Sequence, residues 1–122
     1  MLTPNLILLY VEDPTSSAAF YERLFGTTPT ATFPTYASFE FENGLSVGLW
    51  STSAANFVSA GSGHRFELAF MVPDDEAVKA LHREWQEAGV SIEQPLQEAV
   101  FGLTFVATDP DGHRIRICTP DD

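Results

Sequence analysis

The chain repeats itself, and that repeat limits what it can fold into more than any other feature. Val11, Asp13, Phe20 and Leu24 are followed 61 residues later by Val72, Asp74, Leu81 and Trp85. Asn43-Gly44, with Val47 and Leu49 behind it, returns 68 residues later as Asp111-Gly112 with Ile115 and Ile117. Each copy reads as a strand, a helix and three strands, too little chain to bury a sheet alone. The 122 residues are therefore expected to form a single domain, 1–122, of two modules, about 1–58 and 59–122. The predicted class is α+β, with two βαβββ modules forming curved mixed sheets around a concave groove and the helices outside.

Within the first module, Asn5 to Glu12 reads as a buried strand. Asp13-Pro14 then supplies an N-cap and a proline suited to the first helical position. The helix carries Ser17, Phe20, Tyr21 and Leu24 on one face and stops at Gly26. Strands are predicted at Thr30–Phe33, Tyr36–Glu42 and Leu45–Ser51, the last two joined by Asn43-Gly44, a strong hairpin signal. A small-residue loop spans Ser51 to Gly63. The plan restarts with a strand at Arg65–Val72, a cap at Pro73-Asp74-Asp75, and a helix through Val78, Leu81, His82 and Trp85 ending near Gly89. Strands near Ser91–Gln94, Leu103–Thr108 and His113–Thr119 complete it.

A strict two-residue turn at Asn43-Gly44 would pair Phe39 with Gly48 and Glu40 with Val47. It would set Glu40 and Glu42 on the helix side and bury acids, so a bulge or longer loop is expected there. A one-residue slip would exchange the faces and move both glutamates to the groove.

In the closing strand, Asp109-Pro110-Asp111-Gly112 forms the turn, and Arg114, Arg116 and Cys118 alternate with Ile115 and Ile117. Two arginines on the face opposite the isoleucines require either solvent or a partner, and both readings stand.

A net charge of −11 argues against nucleic acid and anionic membrane as partners and suits a neutral or cationic ligand. The single cysteine, Cys118, excludes an intrachain disulfide and a thiolate metal cluster. The apolar run Leu6–Val11 ends at Glu12-Asp13, without a basic stretch before it. Neither a signal peptide nor a membrane span is expected, and the expected location is cytoplasmic.

The doubled βαβββ plan, the strand–Val-x-Asp–helix openings and the Asp-Pro-Asp-Gly closing strand resemble the vicinal oxygen chelate superfamily. Its members include glyoxalase I, extradiol dioxygenases and bleomycin-resistance proteins. Gly63-His64-Arg65-Phe66, Ala69-Phe70, Pro73-Asp74 and Ala99-Val100-Phe101-Gly102 look most like its metal-free, mitomycin-type antibiotic-binding members. Enzymes of the superfamily hold a divalent metal with one His or Glu from each of four inner strands. The resemblance carries those positions to Leu6, Gly48, Glu67 and Arg116. Leucine and glycine side chains do not ligate, and arginine stays protonated, so Glu67 alone qualifies. No metal and no cofactor are expected. His64, His82 and His113 read as structural or solvated. No nucleophile elbow, Walker loop or Gly-x-Gly-x-x-Gly occurs.

By parity with those four positions, Leu6, Leu8, Tyr10, Ser46, Gly48 and Trp50 face the groove, as do Ala69, Met71 and Cys118. A planar ligand would gain roughly 0.5–1.5 kcal/mol by stacking on Trp50 beyond area burial; the alternative is a core tryptophan at a sheet edge. Trp85, on the helix stripe, belongs to the core. Phe101, placed on a loop beside Gly102, reads as a lid or as ordinary loop packing. Glu67 and Arg116 are expected to meet. The resulting ligand-binding set is Leu6, Leu8, Tyr10, Gly48, Trp50, Glu67, Ala69, Met71, Phe101 and Arg116, with no catalytic residue assigned.

The function these residues imply is binding of a small molecule, planar or cationic, by a homodimer, with antibiotic or toxin sequestration as its setting. Two other classes stay open. One is an enzyme: a lyase or isomerase with Glu67 as base, or a dioxygenase-like member. The other is a structural or partner-binding protein with a vestigial groove.

Overall fold

A computed structural model describes residues 1–54 and 66–120. The chain divides into two compact units, Met1–Gly61 and Ser62–Asp122. The first contains β1 (Leu6–Val11), α1 (Pro14–Phe25), β2 (Ala31–Phe33), β3 (Tyr36–Glu40) and β4 (Ser46–Ser51). The second contains β5 (Glu67–Met71), α2 (Asp75–Glu87), β6 (Ser91–Ala99), β7 (Gly102–Thr108) and β8 (Arg114–Cys118). Gly63, His64 and Arg65, used in the sequence reading, lie outside the described residues.

Each unit is an α+β module with a four-stranded mixed sheet, ordered β1-β4-β3-β2 in the first and β5-β8-β7-β6 in the second. The repeat holds at the level of register. Leu6 pairs with Ser46 in parallel, and Glu67 pairs with Arg114 in the same way. Glu40 pairs antiparallel with Ser46, and Thr108 with Arg114.

The caps behave as their residues dictate. Asp13 accepts from the Thr15 amide at 3.0 Å, and Gly26 leaves α1 with φ 72°. Asp74 accepts from the Ala77 amide at 2.9 Å to start α2. One face of each sheet is buried with its helix. In the first unit Leu9, Val11, Phe39, Val47 and Leu49 are sealed, with Tyr21 of α1 also buried and the Phe25 ring 5.1 Å from that of Phe39. In the second, Ile115, Ile117 and Phe105 are sealed, and Trp85 of α2 lies edge-on to Phe105 at 5.6 Å. Each such large side chain contributes about 1.5–3 kcal/mol by leaving water.

One expectation holds and another is corrected. The β3–β4 hairpin does not have a two-residue turn: Phe39 pairs with Val47 and Glu40 with Ser46. Phe41 and Leu45 close a three-residue connection, with Gly44 donating to the Phe41 carbonyl at 3.0 Å and holding φ 89°. This slip moves Glu40 to the face away from the helix and brings Phe41 5.1 Å from Phe25, so Glu40 stays exposed. Glu42 stays in the turn, exposed to water, and joins neither face. The second hairpin closes identically, from Asp109 to His113, with Gly112 at φ 86°.

β6 also runs to Ala99 instead of stopping at Gln94, despite Pro95. It is an edge strand, where a missing N–H is tolerated, and its pairing shifts between Gln94 and Gln97. Phe101 therefore sits in a tight two-residue hairpin loop between Ala99 and Gly102.

Candidate functional site

The face of the second sheet turned away from α2 carries Glu67, Ala69 and Met71 from β5 beside Arg114, Arg116 and Cys118 from β8. Alternation puts them there, because Leu68, Ile115 and Ile117 take the helix side. Arg116 meets Glu67 as a fork: Nε donates to Oε1 at 2.7 Å and Nη2 to Oε2 at 3.1 Å. Arg116 Nη1 donates to Thr104 Oγ1 at 3.2 Å, and that hydroxyl gives its own proton to the Ile117 carbonyl at 2.6 Å. The guanidinium is thus held along one edge and at one end. Above it lies the Phe101 ring, its centroid 5.5 Å from Cζ, a distance at which a cation and an aromatic face attract.

Arg114 adds a second cation. Its Nη1 lies 3.4 Å from Glu67 Oε2, and its Nε lies 3.2 Å from Glu93 Oε1. The side chains are largely but not wholly covered, with Arg116 18% and Glu67 27% exposed. The Arg116 hydrogen bonds hold the Glu67 carboxyl below its ordinary value despite partial burial, and the charge of Arg114 adds to the effect. Glu67 correspondingly pushes Arg116 upward. Glu67, Met71, Phe101, Arg116, Cys118 and Thr119 line a hollow of about 420 Å³.

The corresponding face of the first sheet is built differently. Leu6, Leu8 and Tyr10 stand beside Ser46, Gly48 and Trp50, as parity requires. Leu6, Leu8 and Tyr10 remain 48%, 43% and 43% exposed. Trp50 is half-buried, its ring 6.2 Å from that of Tyr10 in an edge-on arrangement. Tyr36 lies across Gly48; a Cβ there would meet its hydroxyl at 2.5 Å and Leu8 Cδ2 at 2.8 Å.

The structure thus gathers Leu6, Leu8, Tyr10, Gly48 and Trp50 on one face of the first unit. It gathers Glu67, Ala69, Met71, Phe101 and Arg116 on one side of the second. Sequence reasoning missed Tyr36, Thr104 and Glu93. Tyr36 and Thr104 are 68 residues apart, the hairpin offset, so the repeat could have found them. Glu93 lies within a register shift, between Ile92 and Gln94, where parity gives no guidance.

The four positions at which metal ligands would be carried over do not suit a metal. Gly48 has no room for a side chain, and Leu6 is a hydrocarbon. Both oxygens of Glu67 are taken by a permanent cation. Among the described residues, no group of three or more His, Cys, Asp or Glu is placed to hold an ion. His82 lies edge-on to Phe105 at 5.0 Å, and His113 Nδ1 lies 2.7 Å from buried Asp109; His64 lies outside the described residues.

The sequence profile of the Glyoxalase/Bleomycin resistance protein/Dioxygenase superfamily matches residues 3–117. The chain belongs to that superfamily. It is 34% identical to the phenazine antibiotic resistance protein EhpR of Enterobacter agglomerans, over 98% of this chain and 94% of that one. A protein of Agrobacterium tumefaciens solved by NMR in solution is 36% identical, with a TM-score of 0.86 and full coverage of both chains. A glyoxalase-related enzyme from Fulvimarina pelagi shares the fold at 24% identity and a TM-score of 0.81, over 98% and 89% of the two chains. Members of this superfamily bind small molecules. Among the described residues, no helix is long and apolar enough to cross a membrane.

Proposed function

We propose that this superfamily member is a metal-free small-molecule binding protein that sequesters a planar aromatic compound, as an antibiotic resistance protein would, and that it acts as a homodimer. The observation that carries this reading is the Glu67–Arg116 fork at two of the superfamily's ligand positions, lining a hollow beneath the Phe101 ring. A few fixed polar groups among apolar walls is how proteins hold a small molecule in one orientation. The likeness to a phenazine resistance protein supports a flat ring as the ligand, and the half-buried Trp50 offers a further stacking surface in the first unit.

A lyase or isomerase using Glu67 as base is disfavoured. Arg116 lowers the proton affinity of that carboxylate and engages both oxygens, whereas a general base works best with a pKa near the working pH. The exposed apolar face of Leu6, Leu8 and Tyr10 supports self-association, since faces of this kind mark interaction surfaces.

Titration with phenazine, followed by tryptophan fluorescence and thermal unfolding, tests the binding. At 100 times its dissociation constant the ligand should stabilise the fold by about 2.7 kcal/mol and be recovered chemically unchanged. Turnover of the ligand, or one tightly held metal per chain by elemental analysis, would overturn the reading. Light scattering at micromolar concentration should give the dimer mass.

A further inference from the structure

We infer that the hollow in the second unit binds the acceptor end of its ligand, a carboxylate or similar anionic oxygen group, through the two N–H groups of Arg116 that have no partner among the described residues. This rests on the proposed binding function and adds the polarity of the ligand to it.

A guanidinium has five N–H donors and no acceptor. Glu67 takes two of Arg116's, one from Nε and one from Nη2, and Thr104 takes one from Nη1. One N–H on each terminal nitrogen has no partner among the described residues. The side-chain acceptors that contact Arg116 each already accept a hydrogen bond. Both Glu67 oxygens face Arg116, and Oε2 also lies 3.4 Å from Arg114. The Thr104 hydroxyl, having given its proton to Ile117, serves Arg116 only as an acceptor. Arg116 therefore presents two N–H groups beside side-chain acceptors that its own bonds already occupy in part.

The same contacts make those donors effective. A guanidinium fixed by three hydrogen bonds and an overlying ring has little freedom left to lose when a ligand arrives. Only 18% of the side chain is exposed, with Met71 and Phe101 among the walls, so water competes weakly for the free N–H groups.

The net charge of −11 does not reverse this preference. At physiological salt, charges beyond about 8 Å are largely screened, and the adjacent donors decide. A cationic ligand would instead have to compete with Arg116 for Glu67. Under this inference the ligand is neutral or anionic, where net charge alone suggests a neutral or cationic one.

Three probes on one ring system test this: phenazine, phenazine-1-carboxylate and 1-(aminomethyl)phenazine. The carboxylate should bind about tenfold tighter than phenazine, the size of one added charge-assisted hydrogen bond, and the ammonium compound more weakly than phenazine. In Arg116→Lys, which keeps the charge and loses the fork, the ratio of the carboxylate and phenazine dissociation constants should fall towards one. Bound carboxylate should also slow alkylation of Cys118, the single cysteine, which lines the same hollow. Equal wild-type affinity for carboxylate and phenazine would overturn the inference while leaving ring binding intact. So would a ratio unchanged in Arg116→Lys, or alkylation unaffected at saturation. Failure of all three probes to bind would instead overturn the functional reading on which it rests.

Discussion

On the face away from its helix, the first sheet presents Leu6, Leu8 and Tyr10 beside Gly48 and Trp50. At the corresponding places the second presents Glu67, Ala69 and Met71 beside Arg116 and Cys118. The helix-side faces, by contrast, are close copies, with Val47 and Leu49 answered by Ile115 and Ile117, all four buried. Even the way space is filled has been inverted. Tyr36 lies across Gly48 in the first unit, whereas Arg116 reaches over to Thr104 in the second. The difference shows which positions the fold constrains. Burial against a helix favours apolar side chains of suitable volume, while the opposite face can exchange an aromatic surface for an ion pair without altering the register.

The sharpest test of that division uses the two tryptophans. Trp85, 6% exposed and packed on Phe105, belongs to the constrained face, and Trp85→Ala should cost about 3–5 kcal/mol in urea unfolding. Trp50→Ala should cost far less, under about 1 kcal/mol. Equal destabilisation would mean that the open face is core as well.

Next in size is Arg116→Ala, which strands Glu67. Partial exposure puts the expected loss at about 1–3 kcal/mol, that of hydrogen bonds to a charged group. The pH dependence has a definite sign. The folded carboxyl is depressed below its ordinary 4.5, so its contribution is present above that pH and disappears as pH falls through the folded value. In Arg116→Ala the acid limb of the stability curve should flatten, and an unchanged limb would remove the ion pair from the account.

Gly48→Ala should follow, costing about 1 kcal/mol by overpacking against Tyr36. Adding Tyr36→Thr, the residue found at the corresponding place in the second unit, should recover most of it. An additive double mutant would show that Tyr36 is not what keeps position 48 a glycine.

The smallest effect separates the two turns. The bond to Asp109 raises His113 above the ordinary imidazole value of 6.5, against the opposing effect of burial. Its contribution, under about 1 kcal/mol, is complete below pH 6.5 and fades as pH rises through the higher folded value. Asp109→Asn should abolish that alkaline-side loss. The equivalent turn in the first unit uses Asn43, whose side chain accepts from the Leu45 amide at 3.1 Å and does not titrate. Asn43→Ala should therefore lower stability equally across this range, as denaturation at several pH values would reveal.

Local chemistry alone determined a good part of this molecule. Asp13-Pro14 and Gly26 bound one helix, Asp74 starts the other, and alternation along β5 and β8 sets Glu67 and Arg116 on one face. These rules span only a few residues, so they can be read without knowing what lies across the sheet. Tertiary structure decided the rest. An Asn-Gly turn fits a two-residue or a three-residue connection, and the penalty for burying Glu40, with the gain from packing Phe41 on Phe25, selected the latter. Pro95 reads as a strand breaker until β6 proves to be an edge. Thr104 became part of the site because β7 lies next to β8, which brings its hydroxyl between the Ile117 carbonyl and Arg116. Register, edge position and cross-strand neighbours depend on energies shared between distant segments, and those energies exist only once the sheet has formed.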